Sequence, residues 1–141
     1  SEQVFQAFLD RITNVLCDMG YAAAKSGHND IMVDGYKVSG NACYALPTGT
    51  IVHGTLLVNV DFDALQQAIT PSKQKLEKHG VQSVRQRVVN LSSLMPLTMD
   101  GINEYLITKL CAHTRELSQE EIAAIDSIEQ SYLDPQFIAG K

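Results

Sequence analysis

An Asp-Gly dipeptide between two short apolar runs is the feature that most constrains the fold of this chain. Residues 31–33 form the first run, Asp34-Gly35 follows, and residues 36–38 form the second. A two-residue type I′ turn needs positive φ at both central positions, and Asp-Gly is among the dipeptides that adopt it most readily. The sequence therefore predicts a β-hairpin whose turn lies at residues 34–35.

The segments on either side of this hairpin have other periods. Apolar residues recur at three- and four-residue spacing over residues 4–19, which predicts an amphipathic helix with Gly20 as its C-cap. Residues 50–60 are rich in β-branched side chains and predict a long buried strand, in which Gly54 allows a bulge or a close backbone approach. Residues 72–90 are polar and irregular.

Three further helices are predicted after the strands. They cover residues 61–69, 98–114 and 118–131; Ser118 and Glu121 form a capping box for the last one, and Pro135 is expected to end it. The order of helix, strands and helices predicts an α+β fold, a largely antiparallel sheet packed by helices. A length of 141 residues without repeats or linkers is typical of one domain over residues 1–141.

Composition excludes several classes of function. A formal net charge of −5 without a Lys/Arg stripe argues against nucleic acid as a partner. No apolar run has the length that an integral membrane protein needs, and the first residues lack a secretory signal pattern. The cysteines, at positions 17, 43 and 111, show no C-x-x-C spacing, which suits a reducing cytosol and predicts small buried residues. A cytoplasmic location is therefore expected.

Lys37 and Asp30 are the residues whose chemistry the pattern leaves open. A lysine just past a hairpin turn is typically solvated, but apolar neighbours and the small-residue step at 39–42 also suit a cation that meets a ligand. Asp30 either caps the entry to its strand or offers a carboxylate to Mg²⁺, which binds one or two carboxylates together with substrate phosphates. The four histidines never have zinc-site spacing.

The remaining polar candidates favour structural roles. His53 interrupts an apolar strand, where a histidine is more often structural than catalytic. Arg85, Arg87 and Asn90 could form a phosphate patch, although such residues more often tie a loop to carboxylates or carbonyls. Neither the G-x-S-x-G element of serine hydrolases nor the P-loop of nucleotide-binding proteins occurs.

Three ordered blocks of sequence resemble a known family. The blocks are "SGHNDIMVDGYKVSGNA", "HGTLLVNVDFDAL" and "KHGVQSVRQRVVNL", in order over residues 26–91. Together they resemble lipoate-protein ligases of the lipoyl/biotin protein ligase superfamily. The final "SYLDPQFIAGK" is also similar to the end of the large domain in that family.

The resemblance implies a two-step reaction. Lipoate and ATP would give lipoyl-adenylate and pyrophosphate with Mg²⁺, and the lipoyl group would then pass to a lysine of an acceptor protein. Acceptors in the family are lipoyl domains of 2-oxoacid dehydrogenase complexes or the glycine cleavage H protein. Lys37 matches the catalytic lysine. The implied binding residues are Asn29 and Asp30 near the phosphate and metal, Gly40 and Ala42 where the adenylate approaches the backbone, and His53 and Thr55 lining the pocket.

The chain departs from the family pattern in several places. His28 stands where members often carry Arg, and Val52 stands where they often carry a second His. The family's triple-glycine loop is expected upstream of Ser1, and no Gly-Gly dipeptide occurs in this chain. The small C-terminal accessory domain of the family is likewise expected to lie outside residues 1–141. We therefore expect residues 1–141 to be the C-terminal part of a ligase catalytic domain, with little or no activity in isolation.

Two alternatives remain beside ATP-dependent ligation. An ATP-independent octanoyl or lipoyl transferase of the same fold would use a cysteine nucleophile. Cys17 and Cys111 fall in predicted helices and Cys43 follows the small-residue step, so none has the expected placement. The other alternative is a non-catalytic lipoyl-binding remnant.

Overall fold

The computed structural model describes residues 2–69 and 87–140. The chain divides into two compact units, residues 1–110 and 111–141. The elements of the first unit are α1 (Glu2–Asp18), β1 (Ala23–Ser26), β2 (Asp30–Val33), β3 (Tyr36–Leu46), β4 (Gly49–Leu56), α2 (Phe62–Ile69), α3 (Leu91–Leu94) and α4 (Met99–Leu110). Those of the second are α5 (Gln119–Tyr132) and α6 (Pro135–Ile138).

The four strands form one antiparallel sheet in the order β1-β2-β3-β4. The predicted hairpin is confirmed between β2 and β3, where Asp34 has φ 51° and Gly35 has φ 81°. Positive φ at both positions is the condition for which Asp-Gly was expected. The predicted α+β class is therefore confirmed for the first unit, with α1 packed against the sheet at β1.

The core of the first unit lies between α1 and the sheet. Phe5, Leu9 and Leu16 from α1 are fully buried, because helical spacing places them on one face. Ile31 and Val33 of β2 alternate toward the same core. The cluster is completed by further buried residues, namely Tyr21, Val38, Val58, Leu91 and Ile102.

The prediction of one long buried strand over residues 50–60 was wrong in two respects. β4 ends at Leu56, and most of its residues are exposed. β-branched composition does not distinguish an outer strand from a central one, and within the described sheet β4 pairs with β3 alone. β3 and β4 pair in continuous register through Gly54, so this glycine marks a close approach and not a bulge.

Helix ends and cysteine burial also differ from expectation. The helix predicted over residues 98–114 ends at Leu110, so Cys111 and His113 lie beyond it. α5 ends at Tyr132, close to the predicted end and just before Pro135, which in turn begins α6, since its missing N–H costs nothing in a first turn. All three cysteines are exposed. Cys17, for example, comes directly after two buried residues of α1 but is itself exposed, with its Sγ 3.4 Å from Ala23 O.

The second unit is helical. The predicted capping box is confirmed at the start of α5, where Glu121 N–H donates to Ser118 Oγ and Ser118 N–H donates to a Glu121 carboxylate oxygen. Tyr132 and Phe137 pack edge to face, with ring centroids 4.8 Å apart. None of the helices built from the described residues has the length and apolarity to cross a membrane.

Candidate active site

One face of the sheet collects the strand residues that were predicted from the sequence. Asp30 of β2 lies opposite Gly40 of β3, and Gly40 lies opposite Thr55 of β4. Two residues further along β3, Ala42 lies opposite His53. Because side chains alternate along a strand and cross-strand partners share a face, these five positions lie on the same side of the sheet.

A β-bulge brings Lys37 to this face. Ile31 pairs with Ser39 but Met32 pairs with Lys37, so position 38 of β3 is an extra residue without a partner in β2. In an unbroken strand, residues three apart point to opposite faces. The extra residue shifts the alternation, and the Lys37 side chain consequently runs over Gly40. The bulge is therefore what places the lysine among the predicted site residues.

Lys37 forms an ion pair with Asp30. Lys37 Nζ lies 2.7 Å from Asp30 Oδ1, and the two side chains are 35% and 30% exposed. Asp30 Oδ1 is itself buried, and within the described residues no donor is aligned for a hydrogen bond to it. The contact is thus electrostatic, and at this exposure such a pair stabilises the fold by at most about 1 kcal/mol.

The backbone of Lys37 is fixed by the segment that follows the undescribed residues. Its N–H donates to Arg87 O at 2.7 Å, and its carbonyl accepts from Val89 N–H at 3.2 Å. These bonds form a short parallel bridge between Lys37 and Val88. The end of the third sequence block, "RVVNL" at residues 87–91, therefore supports the strand that carries the lysine.

Gly40 leaves room for the lysine side chain. A Cβ at this position would lie 3.0 Å from Lys37 Nζ and 3.1 Å from Lys37 Cε. The small-residue step after the hairpin thus has a definite steric reason, since a larger residue would push the ammonium away from Asp30. Whether the adenylate also approaches Gly40 and Ala42 stays a prediction.

Asn29 is held by an amide clasp that the sequence did not reveal. Asn29 Nδ2 donates to Asn41 O at 3.0 Å, and Asn41 Nδ2 donates to Asn29 O at 3.0 Å. Asn41 is 5% exposed and its amide also donates to Ser39 Oγ at 3.0 Å. The sequence did contain one signal for the role of Asn41: it is a polar residue at a strand position whose side chain faces the core.

The other predicted residues are placed with less contact to the ion pair. His53 and Thr55 are exposed, and Thr55 Oγ1 donates to Gly40 O at 3.3 Å. Asn90 is structural, as favoured: its amide donates to Val60 O and accepts from Val60 N–H, each at 2.9 Å. Arg87 is exposed, and Arg85 lies outside the described residues.

An apolar pair continues the same face beyond Ala42. Tyr44 lies opposite Ile51, and these side chains are 65% and 52% exposed. Both side chains lie on the face of the sheet that carries Gly40 and Ala42. At ~3.3 Å per residue, Tyr44 lies about 13 Å from Gly40 along β3. The face therefore changes from an ion pair at one end to exposed apolar surface at the other.

A metal ion would find few protein ligands here. No group of three or more His, Cys, Asp or Glu side chains that could hold one occurs in the described part of the chain. Asp30 offers a single carboxylate, and its Oδ1 already lies 2.7 Å from Lys37 Nζ. The residues present therefore fit Mg²⁺ only in the mode where one carboxylate binds and phosphates and waters supply the other oxygens.

The fold and the site together define an α+β domain that presents a lysine-aspartate pair on the open face of an antiparallel sheet. Residues 1–111 match the lipoyl protein ligase A/B catalytic domain. The chain belongs to this family. It is 38% identical to lipoate-protein ligase LplJ of Bacillus subtilis over 105 residues, which cover 73% of this chain and 32% of that protein.

Solved structures share the fold. One is that of a bi-partite lipoate protein ligase and its E2 lipoyl domain from Thermoplasma acidophilum; it has a TM-score of 0.72 and 22% identity, over 96% of this chain and 56% of the other. Lipoate-protein ligase A bound with ATP has a TM-score of 0.68 and 21% identity, over the same shares. The chain spans about a third of the length of the Bacillus subtilis relative.

Proposed function

We propose that this chain serves in a lipoate-protein ligase, an AMP-forming enzyme that activates lipoate with ATP and transfers the lipoyl group to a protein lysine. The observation that carries the proposal is the sheet face with the Lys37–Asp30 pair at one end and the exposed Tyr44–Ile51 pair at the other. Lipoate has a carboxylate head and an apolar tail, so its two ends match the two ends of this face.

The first step joins two anions, and this is where Lys37 acts. A lipoate carboxylate oxygen attacks the α-phosphorus of ATP, the acyl–phosphate bond forms, and pyrophosphate leaves with the electrons of the broken P–O bond. A fixed ammonium beside the reacting oxygens offsets the negative charge that accumulates. Lys37 is suited to this because both its backbone groups and its ammonium are held in place.

The other predicted residues have supporting roles in the proposal. Asp30 would hold Mg²⁺ jointly with the phosphates, and that ion when bound neutralises phosphate charge. Asn29 borders the same corner, while Ala42 offers a small side chain beside the backbone. His53 and Thr55, exposed on the neighbouring strand, line the path toward the apolar pair.

The second step transfers the acyl group to a protein. A neutral lysine amine attacks the acyl carbon, an amide forms, AMP leaves with the electrons of the broken C–O bond, and the amine loses a proton. Lipoyl domains of 2-oxoacid dehydrogenase complexes are the proposed acceptors, with the glycine cleavage H protein as another. The description of the Thermoplasma acidophilum ligase with its E2 lipoyl domain supports acceptors of this kind. We place the reaction in the cytoplasm.

We further propose that residues 1–141 form the C-terminal part of the catalytic domain. The match to only a third of the Bacillus subtilis relative supports this division. The exposed site face supports it as well, since the Tyr44–Ile51 pair has no cover within the described residues. The glycine-rich loop of the family would then supply the opposite wall.

An ATP-independent transferase is less well supported. Cys43 lies between Ala42 and Tyr44 on β3, opposite Val52. Strand alternation therefore directs it away from the face that carries Lys37. A non-catalytic lipoyl-binding role is distinguished from ligation by experiment.

A chimera tests the proposal. The matched region of the Bacillus subtilis relative is replaced by this chain, and lipoate-dependent exchange between ATP and pyrophosphate is measured. We expect exchange in the chimera, and a loss of 100-fold or more with Lys37→Ala, on the order of the effect of removing a group that stabilises transition-state charge.

Lys25→Ala is the matched control. Lys25 lies on β1 and pairs with Asp10 at 2.5 Å, with 36% of its side chain exposed, so it matches Lys37 in exposure and in having a carboxylate partner but lies away from the site. Exchange that survives Lys37→Ala would refute the role of that residue. Acyl transfer from a carrier thioester without ATP would support the transferase, and lipoate binding without either reaction would support the non-catalytic alternative.

A further inference from the structure

The clasp between Asn29 and Asn41 lies at the start of the strand that carries Asp30. The Asn29 carbonyl oxygen accepts two hydrogen bonds from Asn41, one from its backbone N–H at 2.9 Å and one from its Nδ2 at 3.0 Å. Asn29 Nδ2 donates in turn to Asn41 O, the acceptor that a backbone N–H would use in a regular antiparallel pair. The asparagine side chain therefore extends the ladder by one pair where the chain turns.

Asp30 lies between this clasp and the bulge. The regular pairing of β2 with β3 covers Asp30 and Ile31, and beyond Ile31 the register shifts. The bulge removes ladder support on that side. On its other edge β2 pairs with β1 over all four residues. Toward β3, the clasp is consequently the restraint at the far end of a regular stretch of only two residues.

The neighbouring strand is shaped to accept the clasp. Gly54 lies opposite Asn41, and a Cβ on Gly54 would overlap Asn41 Oδ1 and lie 2.9 Å from its Cγ. Asn41 is buried and bonded on both amide hydrogens, to Asn29 O and Ser39 Oγ, so its amide has no free position to move to. Position 54, the glycine of "HGT", therefore has to lack a side chain, because a Cβ there would collide with the Asn41 side chain.

We propose that Asn41 is a positioning residue that holds Asp30 against Lys37 by fixing Asn29. The inference rests on the proposed function only for the statement that Lys37 and Asp30 meet the substrates. The Asn41 amide in this way sets the geometry of the Lys37–Asp30 ion pair through Asn29, without itself touching a ligand. Misplacement of a reacting group by about 1 Å can cost two orders of magnitude in rate.

Nuclear magnetic resonance of the 141-residue chain tests the geometry. In the wild-type chain we expect a nuclear Overhauser cross-peak between the Asp30 β-protons and the Lys37 ε-protons, since their charged atoms lie 2.7 Å apart. Asn41→Ala removes the amide and should abolish the cross-peak. Asn29→Ala, at an exposed position, removes the reciprocal bond and should weaken the cross-peak.

Asn90→Ala is the matched control. Asn90 is also a buried asparagine, 8% exposed, but its side chain bonds to Val60 and not to Asn29 or Asn41 in the described hydrogen bonds. We expect this variant to lower the melting temperature yet keep the cross-peak. Persistence of the cross-peak in both folded asparagine variants at positions 29 and 41 would overturn the proposal, and so would its loss in folded Asn90→Ala, because the effect would then reflect general stability.

The chimera supplies the functional arm. There Asn41→Ala should lower the exchange rate at saturating ATP, whereas Asn90→Ala should leave it nearly unchanged below its melting temperature. Equal rates in the two variants would refute a positioning role. If the wild-type chimera shows no exchange, the proposed function fails, and the cross-peak in the isolated chain still decides whether the clasp positions Asp30.

Discussion

At the scale of single residues, Lys37 shows how a side chain obtains a function from its surroundings. Its place after the hairpin turn predicts a solvated charge. The bulge, the missing side chain of Gly40 and the carboxylate of Asp30 together turn it onto the site face and hold it there. The sequence suggested the lysine and the small-residue step, but the register shift that joins them depends on pairing across strands.

Gly40→Ala tests the steric part of this account. The new Cβ would lie 3.0–3.1 Å from the end of the Lys37 side chain, which is flexible and can move aside. We expect the free energy of unfolding to fall by less than about 1 kcal/mol, comparable to the value of an exposed ion pair. The exchange rate of the chimera should fall by tenfold or more, since the ammonium is displaced.

Gly49→Ala is the control for that variant. Gly49 begins the neighbouring strand, and a Cβ there would have no atom within 4 Å. Exchange should stay close to the wild-type rate. If Gly40→Ala also keeps the wild-type rate, the space above Gly40 is not needed by Lys37.

Asn90 illustrates a residue with a structural role near the site. It bonds both backbone groups of Val60, and its removal would leave a buried donor and acceptor unpaired. We expect Asn90→Ala to lower the free energy of unfolding by about 1–3 kcal/mol, measured by urea denaturation. Asn59→Ala, one residue away from Val60 but exposed, should change it by less than about 0.5 kcal/mol.

At the scale of elements, the sequence predicted those whose signals are local. The first helix, the Asp-Gly turn and the capping box each depend on residues within a few positions of one another, and each is confirmed. The extent of β3, the end of β4 and the short strand β1 were missed. Strand limits depend on partners distant in sequence, which no local pattern contains.

The capping box also predicts a pH dependence for α5. Two hydrogen bonds from the Arg115 guanidinium, and then the Ser118 N–H, hold the pKa of Glu121 at about 2, below its ordinary 4.5. A lowered carboxyl pKa in the folded state stabilises the helix above pH 4.5, and this contribution is lost as the pH falls toward 2. Carbon-13 titration of the Glu121 carboxyl measures the pKa directly.

Arg115→Gln should raise the pKa of Glu121 toward its ordinary value, because the largest cause of the lowering is removed. Ser118→Ala should have a smaller effect on this pKa, since the Ser118 backbone N–H remains. A pKa near 4.5 for Glu121 in the wild-type chain would contradict the paired hydrogen bonds from Arg115 to this carboxylate.

At the scale of the whole molecule, the buried residues are distributed unevenly. Every buried hydrophobic residue of the described chain belongs to residues 1–110, from Phe5 to Ile102. Residues 119–132 contribute none, and their apolar side chains are largely exposed. The buried core of the described chain is therefore formed by residues between positions 5 and 102.

A truncation after Leu110 tests whether this core needs residues 111–141. Since every buried hydrophobic residue of the described chain lies within the first unit, residues 1–110 should unfold cooperatively, with a melting temperature lowered by less than the ~4 °C that 1 kcal/mol would produce. Ile102→Ala in the same truncated chain should lower stability by about 2–5 kcal/mol, because it leaves a cavity in the core. Ile107→Ala, at a site 52% exposed on the same helix, should have little effect. A truncated chain that fails to unfold cooperatively would show that residues 111–141 contribute to the core, and calorimetry distinguishes the two outcomes.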